Sequence, residues 1–128
     1  MAGPGTVLWN ELNTHNLDAA KTFYATTLGW TYDAMPMADG ENYWIIKSGD
    51  ATVGGMFGMN DPALKGVPEH WLAYIEVDDV DARVSKLKSA GGQVMRDAFD
   101  IPNVGRIAIV KDKNGAALGL MKPSPQQQ

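Results

Sequence analysis

"NLDAAKTFYATTLGW", residues 16–30, and "VDDVDARVSKLKSAGG", residues 77–92, are two copies of one plan. Displacing the first by 63 residues puts Leu17-Asp18-Ala19 on Val80-Asp81-Ala82 and Gly29 on Gly92. Each offers a short oxygen-bearing side chain, Asn16 or Asp79, suited to accept an orphan backbone N–H at a helix start. Asp18 and Asp81 follow in the first turn, where negative charge favours the helix dipole. Apolar residues then recur at helical spacing: Leu17, Ala20, Tyr24 and Leu28 in one copy, Val80, Val84 and Leu87 in the other. Glycine follows each.

Working outward, an alternating run precedes each helix, "VLWNEL" in the first copy and "HWLAYIEV" in the second. Three short strand-like runs follow each: "WTYDAM", "NYWIIKSG" and "ATVGGMF", then "QVMRDAF", "VGRIAIVK" and "AALGLMK". Turn residues, "SGD" and "DKNG", separate the last two of each set. Both halves therefore read β-α-β-β-β. The fold expected is α+β: two paired modules forming a curved mixed sheet around a cleft, with the helices outside. One such module alone would leave a sheet face uncovered, so the halves should pair. Module one spans about 6–59, a Pro/Gly-containing linker about 60–69, module two about 70–122, and a frayed tail 123–128, all in a single domain over 1–128.

Composition narrows the classes of function. The 128 residues carry a net charge of −4, with no basic stripe, so neither nucleic acid nor an anionic membrane is an expected partner. Cysteine is absent, which removes disulfides, thiol nucleophiles and Cys-bound zinc. No apolar run reaches the length of a membrane span, and "MAGPGTVLWN" does not resemble a signal peptide. A cytoplasmic protein is the expectation.

Side-chain parity assigns faces. Trp71, Ala73, Ile75 and Val77 form an apolar set for the helix side, which leaves His70, Leu72, Tyr74 and Glu76 facing the other way. By the same alternation Leu8 and Leu12 face the helix, and Val7, Trp9 and Glu11 face inward. "ATVGGM" (51–56) and "AALGLM" (116–121) share alanine, glycine and methionine, which matches Gly54 with Gly119 and Met56 with Met121. All four are expected on the inner face. A strand glycine weakens the strand, so either a ligand comes close there or a bulky neighbour such as Trp9 needs the room.

Paired modules with the segments "NLDAAKTFYATTLGW", "VDDVDARVSKLKSAGG" and "IAIVKDKNGAALGLM" resemble the vicinal oxygen chelate superfamily of glyoxalases, extradiol dioxygenases and bleomycin- and fosfomycin-resistance proteins. In its metal-dependent members, the resemblance implies, each module supplies one ligand from its first strand and one from its last. Those positions fall here on Trp9, Leu72, Gly54 and Gly119, which carry none of the His or Glu donor atoms a divalent cation prefers. No metal and no cofactor is expected. The resemblance also implies a homodimer.

The expected function is metal-free binding of a small organic molecule, aromatic or hydrophobic. Trp9, Gly54, Met56, Leu72, Tyr74, Gly119 and Met121 would line the site. Glu11 and His70 are the polar candidates: Glu11 as a general base, as the anchor of a cationic ligand, or in a structural pair with Arg106 or a lysine; His70 as a proton exchanger or a solvent-exposed strand entrance. The alternative is a glyoxalase-like lyase, isomerase or dioxygenase acting on a small oxygenated substrate.

Overall fold

The structure is a computed structural model that describes residues 3–125. Its elements follow the expected plan: β1 (Val7–Thr14), α1 (Leu17–Leu28), β2 (Thr31–Pro36), β3 (Asn42–Ser48) and β4 (Ala51–Gly58), then β5 (His70–Glu76), α2 (Val80–Ser89), β6 (Gln93–Ile101), β7 (Gly105–Lys111) and β8 (Ala117–Pro123). A short 3-10 helix, Pro62–Leu64, lies in the linker. Both helix starts are capped as their residue types dictate. Asn16 Oδ1 accepts the Ala19 N–H at 3.0 Å, and Asp79 Oδ1 accepts that of Ala82 at 3.0 Å. Gly29 ends α1 in the left-handed region, φ 74°, which a side chain would strain.

Two compact units divide the chain. The first is Trp9–Trp71; the second joins the described residues up to Leu8 to those from Leu72 on. In the first unit the strand order is β2-β3-β4-β1, with β1 and β4 parallel and the rest antiparallel. The second has the order β5-β8-β7-β6, with β5 and β8 parallel. The class is α+β with mixed strand directions, as the sequence predicts. The chain start is tied into the second unit: the Gly5 N–H donates to the Glu76 carbonyl at 2.7 Å, and the Glu76 N–H donates to that of Thr6 at 2.9 Å. The tail expected to fray over 123–128 lies outside the described residues beyond Pro125. Before that point Pro123 closes β8, and the Ser124 N–H donates to the Val104 carbonyl.

Each helix covers one face of its own sheet. Under α1 lie Leu12, Ile46 and Met56, packed with Leu17, Ala20, Tyr24, Trp30 and Trp44. Val80 and Val84 of α2, with Leu87 beside them, pack on Val77, Ala108, Val110 and Leu120, joined by Ile75. Burying one such side chain stabilises by about 1.5–3 kcal/mol, so these two clusters dominate each unit's cohesion. Leu28 departs from the expected stripe: as the last helical residue it is exposed.

One irregularity decides the faces of the first unit. β3 and β4 pair as Trp44↔Met56, Ile45↔Gly55 and Ile46↔Gly54, and then the register slips to Lys47↔Thr52. Val53 is the extra residue of this bulge. A one-residue slip turns every side chain beyond it to the opposite face. Met56 therefore points under α1 and is fully buried there, and Gly54 lies on that same face. This corrects the inward placement expected for both. The second unit pairs β7 with β8 without a break, so Tyr74↔Gly119 and Ile107↔Met121 keep the expected face.

Candidate functional site

On the face of the first unit away from α1, β1 carries Trp9 and Glu11, and β3 carries Tyr43. Glu11 pairs with Gly55, and Gly55 in turn with Ile45, so alternation brings Tyr43 to the same side. The three side chains form a hydrogen-bonded chain. Trp9 Nε1 donates to the Tyr43 hydroxyl at 2.8 Å, and that hydroxyl donates to Glu11 Oε1 at 3.0 Å. Glu11 is only 8% exposed. A carboxylate taken that far from water is costly unless donors surround it, and the Tyr43 hydroxyl is one such donor. With the indole N–H behind it, the phenol proton is directed onto the carboxylate and both rings are held in place. Asn13 and Thr14, further along β1, are buried as well.

The glycines answer to their neighbours. A Cβ at Gly55 would collide with the Tyr43 ring, and one at Gly119 would collide with the ring of Tyr74. At Gly54 it would strike the Asn10 carbonyl across the parallel β1–β4 pair. Of the two readings offered for Gly54 and Gly119, a ligand's approach or a close neighbour, the structure shows close neighbours at both: a backbone oxygen at Gly54 and a phenol ring at Gly119. The true structural counterpart of Gly119 is Gly55, and each of the two accommodates a tyrosine. Tyr43 is the residue that sequence reasoning missed as a site member. Its alternation with Trp44 in "NYWIIKSG" was visible; the bulge at Val53 concealed its position over Gly55.

The other expected residues fall as follows. Leu72 and Tyr74 are buried in the second unit, on the same strand face as Gly119 and Met121, away from α2. His70, expected on the inner face with Glu11, instead lines a groove against α1 in the first unit, where its Nδ1 is 2.8 Å from the Pro68 carbonyl oxygen. Arg106 is engaged elsewhere than the sequence suggested. Its guanidinium donates to both carboxylate oxygens of Asp81, at 2.8 and 3.0 Å, and to Asp100 at 3.2 Å. Those contacts hold the Asp81 carboxyl below the usual carboxylate range.

A divalent cation does not fit the positions where the fold family places its ligands. Trp9, Leu72, Gly119 and either Gly54, the position expected, or Gly55, which takes its place opposite Glu11, present no donor side chain, and phenol rings lie over Gly55 and Gly119. Among the described residues no group of three or more His, Cys, Asp or Glu is placed to hold a metal.

On the α1 side of the same sheet a groove of about 350 Å³ runs between the helix and residues 69–71, lined by Leu12, Phe23, Tyr24, Glu69, His70 and Trp71 among others. Glu69 Oε2 accepts the His15 N–H at 2.7 Å, while His15 Nε2 meets the Val67 carbonyl oxygen at 2.7 Å. These contacts fasten the end of the linker to the start of α1. A hydrogen bond from Thr14, then the His15 N–H, hold the Glu69 carboxyl below its usual range. Among the described residues no helix is long and apolar enough to cross a membrane.

Comparisons with known proteins agree with this architecture. The sequence profile of the Glyoxalase/Bleomycin resistance protein/Dioxygenase superfamily matches residues 6–120. A Mycobacterium bovis protein, provisionally named glyoxylase CFP32, is 47% identical over 123 residues, which cover 96% of this chain and 46% of that protein. The anthracycline biosynthesis protein DnrV of Streptomyces peucetius is 26% identical, over 93% of this chain and 47% of its own length. The chain spans about half the length of these relatives. Among solved structures, the methylmalonyl-CoA epimerase of Mycobacterium tuberculosis superposes with a TM-score of 0.65 at 19% identity, covering 99% of this chain and 95% of the epimerase. That likeness establishes the fold. With a matching profile over nearly the whole chain and the two β-α-β-β-β modules in place, the chain belongs to the glyoxalase/bleomycin resistance protein/dioxygenase superfamily.

Proposed function

We propose that the protein binds a small aromatic or hydrophobic molecule without a metal, using the sheet face that carries Trp9, Tyr43 and Glu11. The observation that carries this reading is the ordered chain from the Trp9 indole through the Tyr43 hydroxyl to the buried Glu11 carboxylate. An indole supplies flat apolar contact, and a fixed phenol and carboxylate supply orientation, which is the usual division of labour in a small-molecule site. The absence of donor atoms at Trp9, Leu72, Gly55 and Gly119 supports a metal-independent mode.

The test is a thermal-shift screen of aromatic and oxygenated compounds, run with a chelator and again with divalent metals. A ligand present at a hundredfold its Kd stabilises by about 2.7 kcal/mol, which a melting curve detects. Stabilisation that survives the chelator and is lost in Trp9→Ala is expected. Stabilisation that requires an added metal refutes the reading.

The burial of Glu11 favours a second reading, a metal-free proton-transfer enzyme of the glyoxalase-like kind. A desolvated carboxylate beside a phenol is suited to take a proton from carbon next to a carbonyl, with the phenol returning one. Deuterium exchange into a bound carbonyl compound, abolished by Glu11→Gln, separates this reading from simple binding.

A further inference from the structure

We propose that the groove between α1 and residues 69–71 binds an organic cation, a protonated or quaternary amine on an apolar body, with Glu69 as counter-ion and Phe23, Tyr24 and Trp71 as walls. This site lies on the α1 side of the sheet, opposite the Trp9–Tyr43–Glu11 chain, and is independent of it.

Shape comes first. At about 350 Å³ the groove suits a compact ligand. Its aromatic walls form a corner rather than a flat stack. The Phe23 and Tyr24 rings meet edge-on with centroids 5.1 Å apart, and those of Tyr24 and Trp71 do so at 5.8 Å. Trp30 braces the corner from behind, stacked on Tyr24 at 5.2 Å and edge-on to Trp71 at 6.0 Å. Rings set at right angles present faces in different directions, the arrangement that attracts an ammonium group through the ring quadrupoles. Phe23 and Trp71 remain 58% and 42% exposed, a large apolar area to leave in water on one patch.

Charge then selects the occupant. The Glu69 carboxylate receives hydrogen bonds from the Thr14 hydroxyl and the His15 N–H, both neutral donors. They hold it ionised without cancelling its charge. By contrast, Asp78, Asp81 and Asp100 each meet an arginine. Among the described residues Glu69 makes no ion pair with lysine or arginine, and neither residue type lines the groove. An ionised carboxylate has acceptor sites beyond the two in use. The His15 and His70 rings are the titratable groups beside this exposed carboxylate, and no lysine or arginine offsets it, so an anion would meet a negative charge and a neutral aromatic would leave it unused. An organic cation satisfies both the carboxylate and the rings.

The test uses the full chain and benzyltrimethylammonium, with benzyl alcohol and benzoate as neutral and anionic counterparts at constant ionic strength. Binding is followed by tryptophan fluorescence and by titration calorimetry. Saturable binding of the cation is expected, at least tenfold tighter than that of benzyl alcohol, with none for benzoate. Glu69→Gln and Phe23→Ala should each weaken it at least tenfold, and Asp33→Asn, an exposed carboxylate on β2, should not. Because Glu69→Gln also loosens the linker, Phe23→Ala serves as the variant that leaves those hydrogen bonds intact. Equal binding of cation and alcohol, or no binding at all, overturns the proposal. So does sedimentation showing a dimer that Phe23→Ala dissociates, since the groove would then be an interface between copies.

Discussion

Substituting Gly55 by alanine tests the central geometry. The added methyl would run into the Tyr43 ring, which is flanked by its hydrogen bonds to Trp9 and Glu11. On an unhindered strand, glycine to alanine stabilises by about 0.4–1 kcal/mol, because the unfolded chain loses freedom. Here overpacking of about 1–3 kcal/mol opposes that gain or, where the Tyr43 ring moves aside and relieves it, the loss of a hydrogen bond to a buried carboxylate worth about 1.5–3 kcal/mol does. The net expectation is destabilisation by about 2 kcal/mol. In a Tyr43→Ala background the obstacle is gone, so the same substitution should be neutral or stabilise by about 0.5 kcal/mol. The two sites should therefore couple by about 2.5 kcal/mol, at the upper end of what contacting residues show. Urea denaturation of the four proteins of the cycle measures it directly. Additivity within about 0.5 kcal/mol would mean that Gly55 is not there to make room for Tyr43, and the argument for the face would fail with it.

Met56→Ala should cost about 3 kcal/mol in the same assay, since Met56 is fully buried under α1, and it should not alter binding at the Trp9 face. Asn16→Ala should cost about 1 kcal/mol by stripping the α1 cap, and Asn16→Asp should restore it. The Glu69 carboxyl is held below its usual range chiefly by Thr14 and the His15 N–H, so its contribution is present at neutral pH. It begins to be lost as pH falls past the unfolded value near about 4.3 and is gone below the lowered folded value. The stability gap between wild type and Glu69→Gln, read from urea midpoints, should therefore close as pH falls from 7 to 3; a gap that widens instead would contradict the assignment.

The local signals in the chain carried far. Asn16 and Asp79 cap the helices they were expected to start, the turns "SGD" and "DKNG" join the strands they were expected to join, and Asp112 Oδ1 closes the latter by accepting the Asn114 and Ala116 N–H groups. In the second module the alternation of "HWLAYIEV" assigned faces correctly from Leu72 on: Ile75 and Val77 pack with α2, while Tyr74 lies over Gly119; His70, at the strand entrance, lines the α1-side groove together with Trp71 instead of facing inward. Side chains competing for distant partners were not legible in this way. Arg106 was a candidate partner for Glu11, but it pairs with Asp81, 25 positions earlier in the chain, because α2 presents that carboxylate to β7.

What the residues determine by themselves is the order of elements, their ends and the twofold repeat of the plan, since capping, turn chemistry and apolar period act between neighbours along the chain. Which glycine serves the site was decided only by tertiary pairing. "ATVGGM" and "AALGLM" match letter for letter at glycine and methionine, yet β3 holds β4 through a bulge at Val53, and that single unpaired residue moves Gly54 and Met56 to the α1 side and puts Gly55 beneath Tyr43. A strand alternates with a period of two, so one residue of slip exchanges core for site, and the partner strand, not the strand's own composition, determines where the slip falls.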